Sequence, residues 1–547
     1  MALQQHVQYN FPVESGPSEP FQDRSPLDVS GIVKQYVSDV INVPPDQGIS
    51  LDEILRKALV ADSYIRSFFA SNSPKPYPSD PHLGLIDVFS IAPEARRSRP
   101  RLIKPGVLSS NSYVFPLPTA NRRQCLEPSM VPDIETFRTN WNVFSHGVLS
   151  AMTGRDWKNI VVAGGSVLAC LLSIKAGSLT ELNTVFQGSA WAASDIDVFI
   201  WGLSEQEARL KIEAIHEAIR TSVAIWPVVC VRKANTISIH TDYPRRPVQI
   251  ILRLYTSPAE ILAGFDVDAA CCAFDGQNVW VNPRSLTAII RQANTVDMTR
   301  RSPSYEVRLA KYAERGFEVY IPSLSRRRID PQIYNRNLVR FPNGLARLLV
   351  LERLRESYYA YKYLKYPKTR VNSGKEVVLE AEDPLLGMKE DAPSLPKSYY
   401  EGELRHIQIP YGPLWSAERI ARVIRNKDRF ISSPSNKNNK GRRIHKHVIF
   451  AGSVIDCITG NFCEECRNVD GQKAVYSEDG TYIQGAVSFL TTNPGRQMIT
   501  GSFHPIDDDE WEEEAYLRPG SEGEVLSDER DPIYAIWALL HPGFKIE

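Results

Sequence analysis

Asp195 and Asp197 lie two residues apart in the run Ser194-Asp-Ile-Asp-Val-Phe-Ile200, whose alternate residues are apolar. In an extended chain, residues i and i+2 face the same way. The two carboxylates therefore emerge together, while Ile196, Val198 and Ile200 turn to a core. Side-by-side carboxylates repel unless a proton or a cation lies between them. A hard divalent ion, Mg2+ or Mn2+, is the natural bridge, and the phosphates of a substrate can complete its shell.

A second run, Asn159-Ile-Val-Val-Ala-Gly-Gly-Ser166, reads as a strand entering a glycine turn and a helix. Gly164 and Gly165 allow a tight turn and a close approach to a ligand. Ser166 brings a hydroxyl and free N–H groups to the helix start, where a phosphate is received. The run is not a P-loop, because the Lys-Ser/Thr pair is absent. Nor is it the dinucleotide fingerprint Gly-x-Gly-x-x-Gly. The two runs together predict a site for a nucleoside triphosphate and a divalent metal.

Phe265-Asp-Val-Asp268 supplies candidates for a third acid. Asp268, between apolar Val267 and Ala269, is expected at the start of a strand Val267–Phe274. Asp266 is expected as an accessory or helix-end residue. Three acids hold two metal ions, one activating the attacking oxygen and one steadying the leaving pyrophosphate. Gln249 and Arg253, on a neighbouring strand, are expected to look into the cleft.

These residues resemble the polymerase-beta-type nucleotidyltransferase superfamily over roughly residues 141–290. That superfamily includes poly(A) polymerases, CCA-adding enzymes, oligoadenylate and cyclic-dinucleotide synthases and aminoglycoside nucleotidyltransferases. The resemblance implies that Gly165 and Ser166 hold the triphosphate, and Gly164 and Ser194 are expected to line the same nucleotide site. It implies that Asp195, Asp197 and Asp268 bind two metals, with Asp268 helping to deprotonate the acceptor. The implied reaction moves a nucleoside monophosphate from an NTP, expected to be ATP, to a hydroxyl and releases pyrophosphate. The acceptor is then the 3′-end of RNA, an oligonucleotide or a small molecule. The alternative is an inactive module of the same fold that binds nucleotide, RNA or a protein partner. One departure is the 28 residues between Ser166 and Asp195. They exceed the family's usual spacing and point to an insertion around 175–193.

The elements that must position these groups can be read around them. A helix is expected over Ile134–Leu149, a strand over 159–163, a helix from Ser166 and a strand over 195–201. Ser204 and Glu207 fit a capping box, with Leu203 as its hydrophobic staple. Thr236–His240 and Val248–Leu254 form a hairpin pair, and Val279–Val281 a further strand. Helices over Ser304–Arg315 and Leu345–Tyr363 follow. Arg301, just ahead of the first, and Tyr305, Arg308 and Lys311 or Tyr312 on it are expected to meet phosphates or stack on the base. Arg326-Arg-Arg328 is a basic run open to a polyanion or to solvent.

The fold class is therefore α/β (α+β): a mixed-sheet core, a following helical region and a further α+β region. The expected divisions are an N-terminal extension 1–132, partly irregular; a core 133–293; a helical region 294–390; and a C-terminal region 391–547. The 547 residues carry 64 basic and 64 acidic side chains, which argues against a dedicated nucleic-acid binder. No apolar run is long enough for a membrane span. A secretory leader is not expected from the first residues, and the 8 cysteines are sparse, so a reducing, cytoplasmic setting is expected. Cys457, Cys463 and Cys466 with His445 or His447 offer enough ligands for zinc, though unpaired structural thiols are the simpler expectation.

Overall fold

The computed structural model describes residues 27–42, 51–70, 78–101, 112–192, 194–301, 305–335, 344–356, 409–435, 439–441, 447–461, 483, 485–490, 511–513 and 515–516. In chain order the first elements are α1 (Val29–Asn42), α2 (Leu51–Ala70), β1 (Ile86–Asp87), β2 (Tyr113–Val114), α3 (Ile134–Ser145), α4 (Gly154–Trp157) and β3 (Ile160–Ala163). There follow α5 (Gly165–Leu171), α6 (Leu179–Gln187), β4 (Ile196–Trp201), α7 (Glu205–Val223), β5 (Val229–Arg232), β6 (Thr236–His240) and β7 (Val248–Tyr255). Next are α8 (Pro258–Ala263), β8 (Cys272–Phe274), β9 (Val279–Val281), α9 (Pro283–Arg291), β10 (Ala293–Thr295), α10 (Tyr305–Glu314) and β11 (Glu318–Tyr320). The last are α11 (Gly344–Glu356), α12 (Ala417–Ser432), β12 (Phe450–Gly452) and α13 (Val454–Thr459).

Among the described residues, nine strands form one mixed sheet in the order β1-β9-β8-β3-β4-β7-β6-β5-β12. Its pairs are antiparallel except for β4 with β7. A small second sheet, β10-β11-β2, joins Tyr113–Val114 to two strands that follow α9. The protein is thus a mixed α+β fold.

Alternation in β4 decides the layers. Ile196, Val198 and Ile200 are buried and join Ile160, Val162, Val248 and Ile250 in the main core, with side chains of α3, α5 and α7. The capping box of α7 is present: Ser204 N donates to Glu207 Oε2 at 2.9 Å and Glu207 N to Ser204 Oγ at 3.4 Å. The opposite sheet face is shared by two covers. Ile261 and Leu262 of α8, with Phe265, lie over Val161, Phe199 and Ile251. Ala417, Ile420, Ala421 and Ile424 of α12 lie over Val229, Val231 and Ala451.

The N-terminal stretch is more ordered than expected. α1 was not foreseen, yet Val33, Tyr36 and Val40 enter the main core. Tyr36 OH donates to Pro283 O at 3.0 Å. β1 pairs with β9 at the sheet edge, so part of the expected N-terminal extension 1–132 belongs to the core sheet. The excursion 175–193 contains α6, capped by Ser178 Oγ. Residues 357–363 of the expected helix Leu345–Tyr363 lie outside the described residues.

Candidate functional site

The register of the central strands assembles the site. Ala163, the last residue of β3, is paired with Asp197 of β4, and Asp197 with Gln249 of β7. Gln249 is paired in turn with Ser238 of β6. All four lie on the sheet face that carries α8 and α12; Ala163 and Ser238 are buried there, while Asp197 and Gln249 are part-exposed. Asp195 is exposed just ahead of β4, and Asp197 is half-buried. Ile196 N between them donates to Pro247 O at 2.9 Å, which extends the chain and directs both aspartates to one side.

The glycine turn follows directly from β3. Gly164 has φ +92°, a conformation that side chains disfavour, and its N–H donates to Cys272 O at 2.9 Å. A Cβ on Gly165 would come 2.5 Å from Arg315 Nη1. Ser166 is 1% exposed, and its Oγ has no hydrogen-bond partner among the described residues. A buried hydroxyl in that state is costly unless a ligand or water completes it.

Two arginines build the loop that carries Asp195. Arg315, just past α10, donates from Nη2 to Ser194 Oγ at 2.6 Å and from Nε to Ala190 O at 3.1 Å. Its guanidinium lies over the Trp191 and Tyr312 rings, 4.3 and 4.8 Å from their centroids. Arg246, fully buried, donates from Nη1 to Trp191 O at 2.6 Å, Ala192 O at 2.7 Å and Ser194 O at 3.3 Å. Its Nη2 donates to Phe186 O at 2.6 Å and its Nε to Phe144 O at 3.3 Å. Burial lowers the Arg246 pKa, opposed by Tyr411 and Asp195. Tyr411, ahead of α12, faces the same guanidinium, and burial pushes its phenol up to about 12. Neither arginine was singled out in the sequence. For Arg315 a signal existed: it stands four residues after Lys311 and seven after Arg308, one helical face.

Asp268, the expected third acid, does not open a strand. Val267–Phe274 is not one strand: residues 268–270 form a 3-10 turn, and β8 begins at Cys272. Asp268 is buried, and its carboxylate accepts from Arg284 Nη1 at 2.7 Å and from Thr295 N at 3.0 Å. Burial raises its pKa, opposed by Arg284 and the Thr295 N–H. Asp268 thus belongs to a buried charge network in which Arg284 and Arg300 both reach Asp62 of α2. Asp266 pairs with Arg308. Among the described residues, no group of three His, Cys, Asp or Glu could hold a metal ion.

Other expected contacts also resolve differently. Arg253 is buried and donates to Glu260 of α8 at 3.3 Å, with its guanidinium 4.5 Å from the Tyr255 ring centre. Arg301 donates to Glu306 at 3.0 Å. Tyr305 is fully buried, its OH accepting from Asp297 N at 3.4 Å, so it presents no ring to a base. Lys311 is half-buried on α10. Arg326 pairs with Glu352 at 2.8 Å. Cys457 is buried in α13, and His447 faces Asp428 at 3.0 Å. His445, Cys463 and Cys466 lie outside the described residues. No helix among the described residues is long and apolar enough to cross a membrane.

The site therefore sits at one end of the central strands of an α+β mixed sheet, between two helical covers. Residues 125–292 match the family model described as Gabija anti-defense 2 family protein. That stretch runs from ahead of α3 through α9 and includes the glycine turn, both aspartates, Arg246 and Gln249, but not α10 or Arg315. An uncharacterized protein of Acanthamoeba polyphaga mimivirus is 29% identical over 225 residues, covering 38% of this chain and 46% of that relative. The chain thus spans about half the length of the curated relative it matches. No solved structure matches significantly.

Proposed function

We propose that the cleft binds a nucleoside triphosphate with a divalent cation and transfers its nucleotidyl group to a hydroxyl acceptor, releasing pyrophosphate. The observation carrying this reading is the register Ala163–Asp197, which sets the Asp195/Asp197 pair beside the Gly164-Gly165-Ser166 turn. The donor set suits the role: two carboxylates for a hard cation, and a buried Ser166 hydroxyl lacking a partner among the described residues. Bound there, the cation would offset the charge of the triphosphate. Arg315 is placed to approach the same phosphates, and Tyr312 borders the turn. ATP is the simplest nucleotide, and RNA, an oligonucleotide or a small molecule the acceptor. The matched family's description adds the expectation of a role against a defence system.

A second reading, nucleotide binding without turnover, is favoured by the engagement of Asp268 with Arg284. One experiment separates the two. Full-length protein is incubated with labelled ATP, Mg2+ or Mn2+ and a panel of acceptors, with ATP binding measured in parallel. Pyrophosphate release abolished by Asp195→Ala/Asp197→Ala supports transfer. Cation-dependent binding with no release for any acceptor supports the second reading. Equal release by the double variant rules out the proposed site.

A further inference from the structure

We infer that the cleft takes one divalent cation with each nucleotide, not two, and that Gln249 sets this number. The inference rests on the nucleotide reading above. A third carboxylate joining Asp195 and Asp197 must come from a neighbouring strand or an adjoining loop. Strand neighbours are about 4.8 Å apart, and paired residues share a face. The two residues paired with Asp197 are Ala163 and Gln249, and neither is an acid. Asp195, one step outside the ladder, is level with Pro247, whose carbonyl accepts from Ile196 N.

Among the described residues, the loop acids around these strands are engaged elsewhere: Asp242, just past β6, accepts from Ala417 N at 2.8 Å. Asp266 pairs with Arg308 and Asp268 with Arg284, both as buried carboxylates. Further out on the same face, the residue paired with Gln249 is Ser238. Among the described residues, these strands thus bring together two carboxylates and one neutral amide. That set matches a single Mg2+, which is held by one or two carboxylates plus substrate phosphates and keeps several waters. A second cation, about 3.5–4 Å from the first, lacks an anionic side chain of its own. The expected two-metal arrangement therefore does not fit these residues.

The consequence reverses by substitution. Gln249→Asp or Gln249→Glu places a carboxylate directly beside Asp197 and creates a second cation site. Gln249→Asn keeps the neutral amide and leaves one.

The test counts Mn2+ by electron paramagnetic resonance on full-length protein saturated with α,β-methylene ATP, which cannot be cleaved at the reacting bond. The expected result is one Mn2+ per bound nucleotide for wild type and Gln249→Asn, and two for Gln249→Asp or Gln249→Glu. Two Mn2+ per nucleotide in wild type overturns the inference and leaves the nucleotide reading intact. An acidic variant that folds, by its melting curve, yet still binds one overturns the role of Gln249. If no nucleotide binds at any Mn2+ concentration, the proposed function itself falls.

Discussion

Arg315 Nη2 donates to Ser194 Oγ at 2.6 Å and so ties the end of α10 to the residue preceding Asp195. The same guanidinium crowds the position a Gly165 side chain would take. One side chain from outside the matched stretch thus touches both halves of the candidate site. The glycine turn and the acid loop are separated by 28 residues in sequence, and Arg315 adds a side-chain tie to the strand register that already sets them side by side.

Arg315→Ala is predicted to weaken nucleotide binding about 10-fold to 100-fold, the range expected when one charge-assisted phosphate contact is lost. Arg315→Lys recovers part of it, because charge remains but the two-sided fork does not. Calorimetric titration with ATP analogue and Mg2+ measures this. An unchanged affinity in both variants would mean that Arg315 only braces the loop.

Arg246 has a different role. Its five N–H contacts all go to main-chain carbonyls of residues 144–194, so it fixes the path leading to Asp195. Lysine has three donors and no planar fork. Arg246→Lys leaves buried carbonyls unpaired and is predicted to cost about 2–4 kcal/mol. Urea unfolding gives that number. A loss of cation affinity larger than the melting shift explains would show that Asp195 has moved.

Asp268 is predicted to matter for stability and not for the nucleotide. Removing one partner of a buried ion pair costs about 3–5 kcal/mol. Asp268→Asn strands Arg284 beside Asp62 alone among carboxylates and should lower the unfolding free energy by about that amount. ATP-analogue affinity of the folded variant should stay at the wild-type value, whereas Asp197→Ala should show the opposite pattern. A folded Asp268→Asn protein that loses cation binding would return Asp268 to the site.

Much of this was legible in the sequence, and the misses share a cause. Thr236–His240 matches β6, and Ser204 with Glu207 caps α7, because alternation and capping are local signals. The aspartate pair and the glycine turn were found for the same reason. Asp268 was misplaced because its apolar neighbours mimic strand alternation, while its fate depends on Arg284, 16 residues onward. Tyr305 was read as a stacking platform, but helical spacing does not say which side of α10 is buried. Gln249 was expected to face the aspartates and does, but its place directly beside Asp197 comes from a parallel pairing with β4 that no local pattern announces.

His240, on β6 beside the cleft, makes a pH prediction. It is 3% exposed, and both ring nitrogens are buried without a partner among the described residues. Burial, with Lys233 adding to it, lowers its pKa from 6.5 to about 3. The folded protein therefore holds it neutral where the unfolded chain takes up a proton. Its contribution is full above the unfolded value and is lost as pH falls from 6.5 toward 3, at up to about 1.4 kcal/mol per pH unit. Other buried groups titrate in the same range, so the informative quantity is a difference. Urea unfolding of wild type and His240→Leu at pH 7.5, 6.5 and 5.5 (values on the order of those bracketing free histidine) should show a shallower pH dependence in the variant. Parallel slopes would mean that His240 is protonated alike in both states.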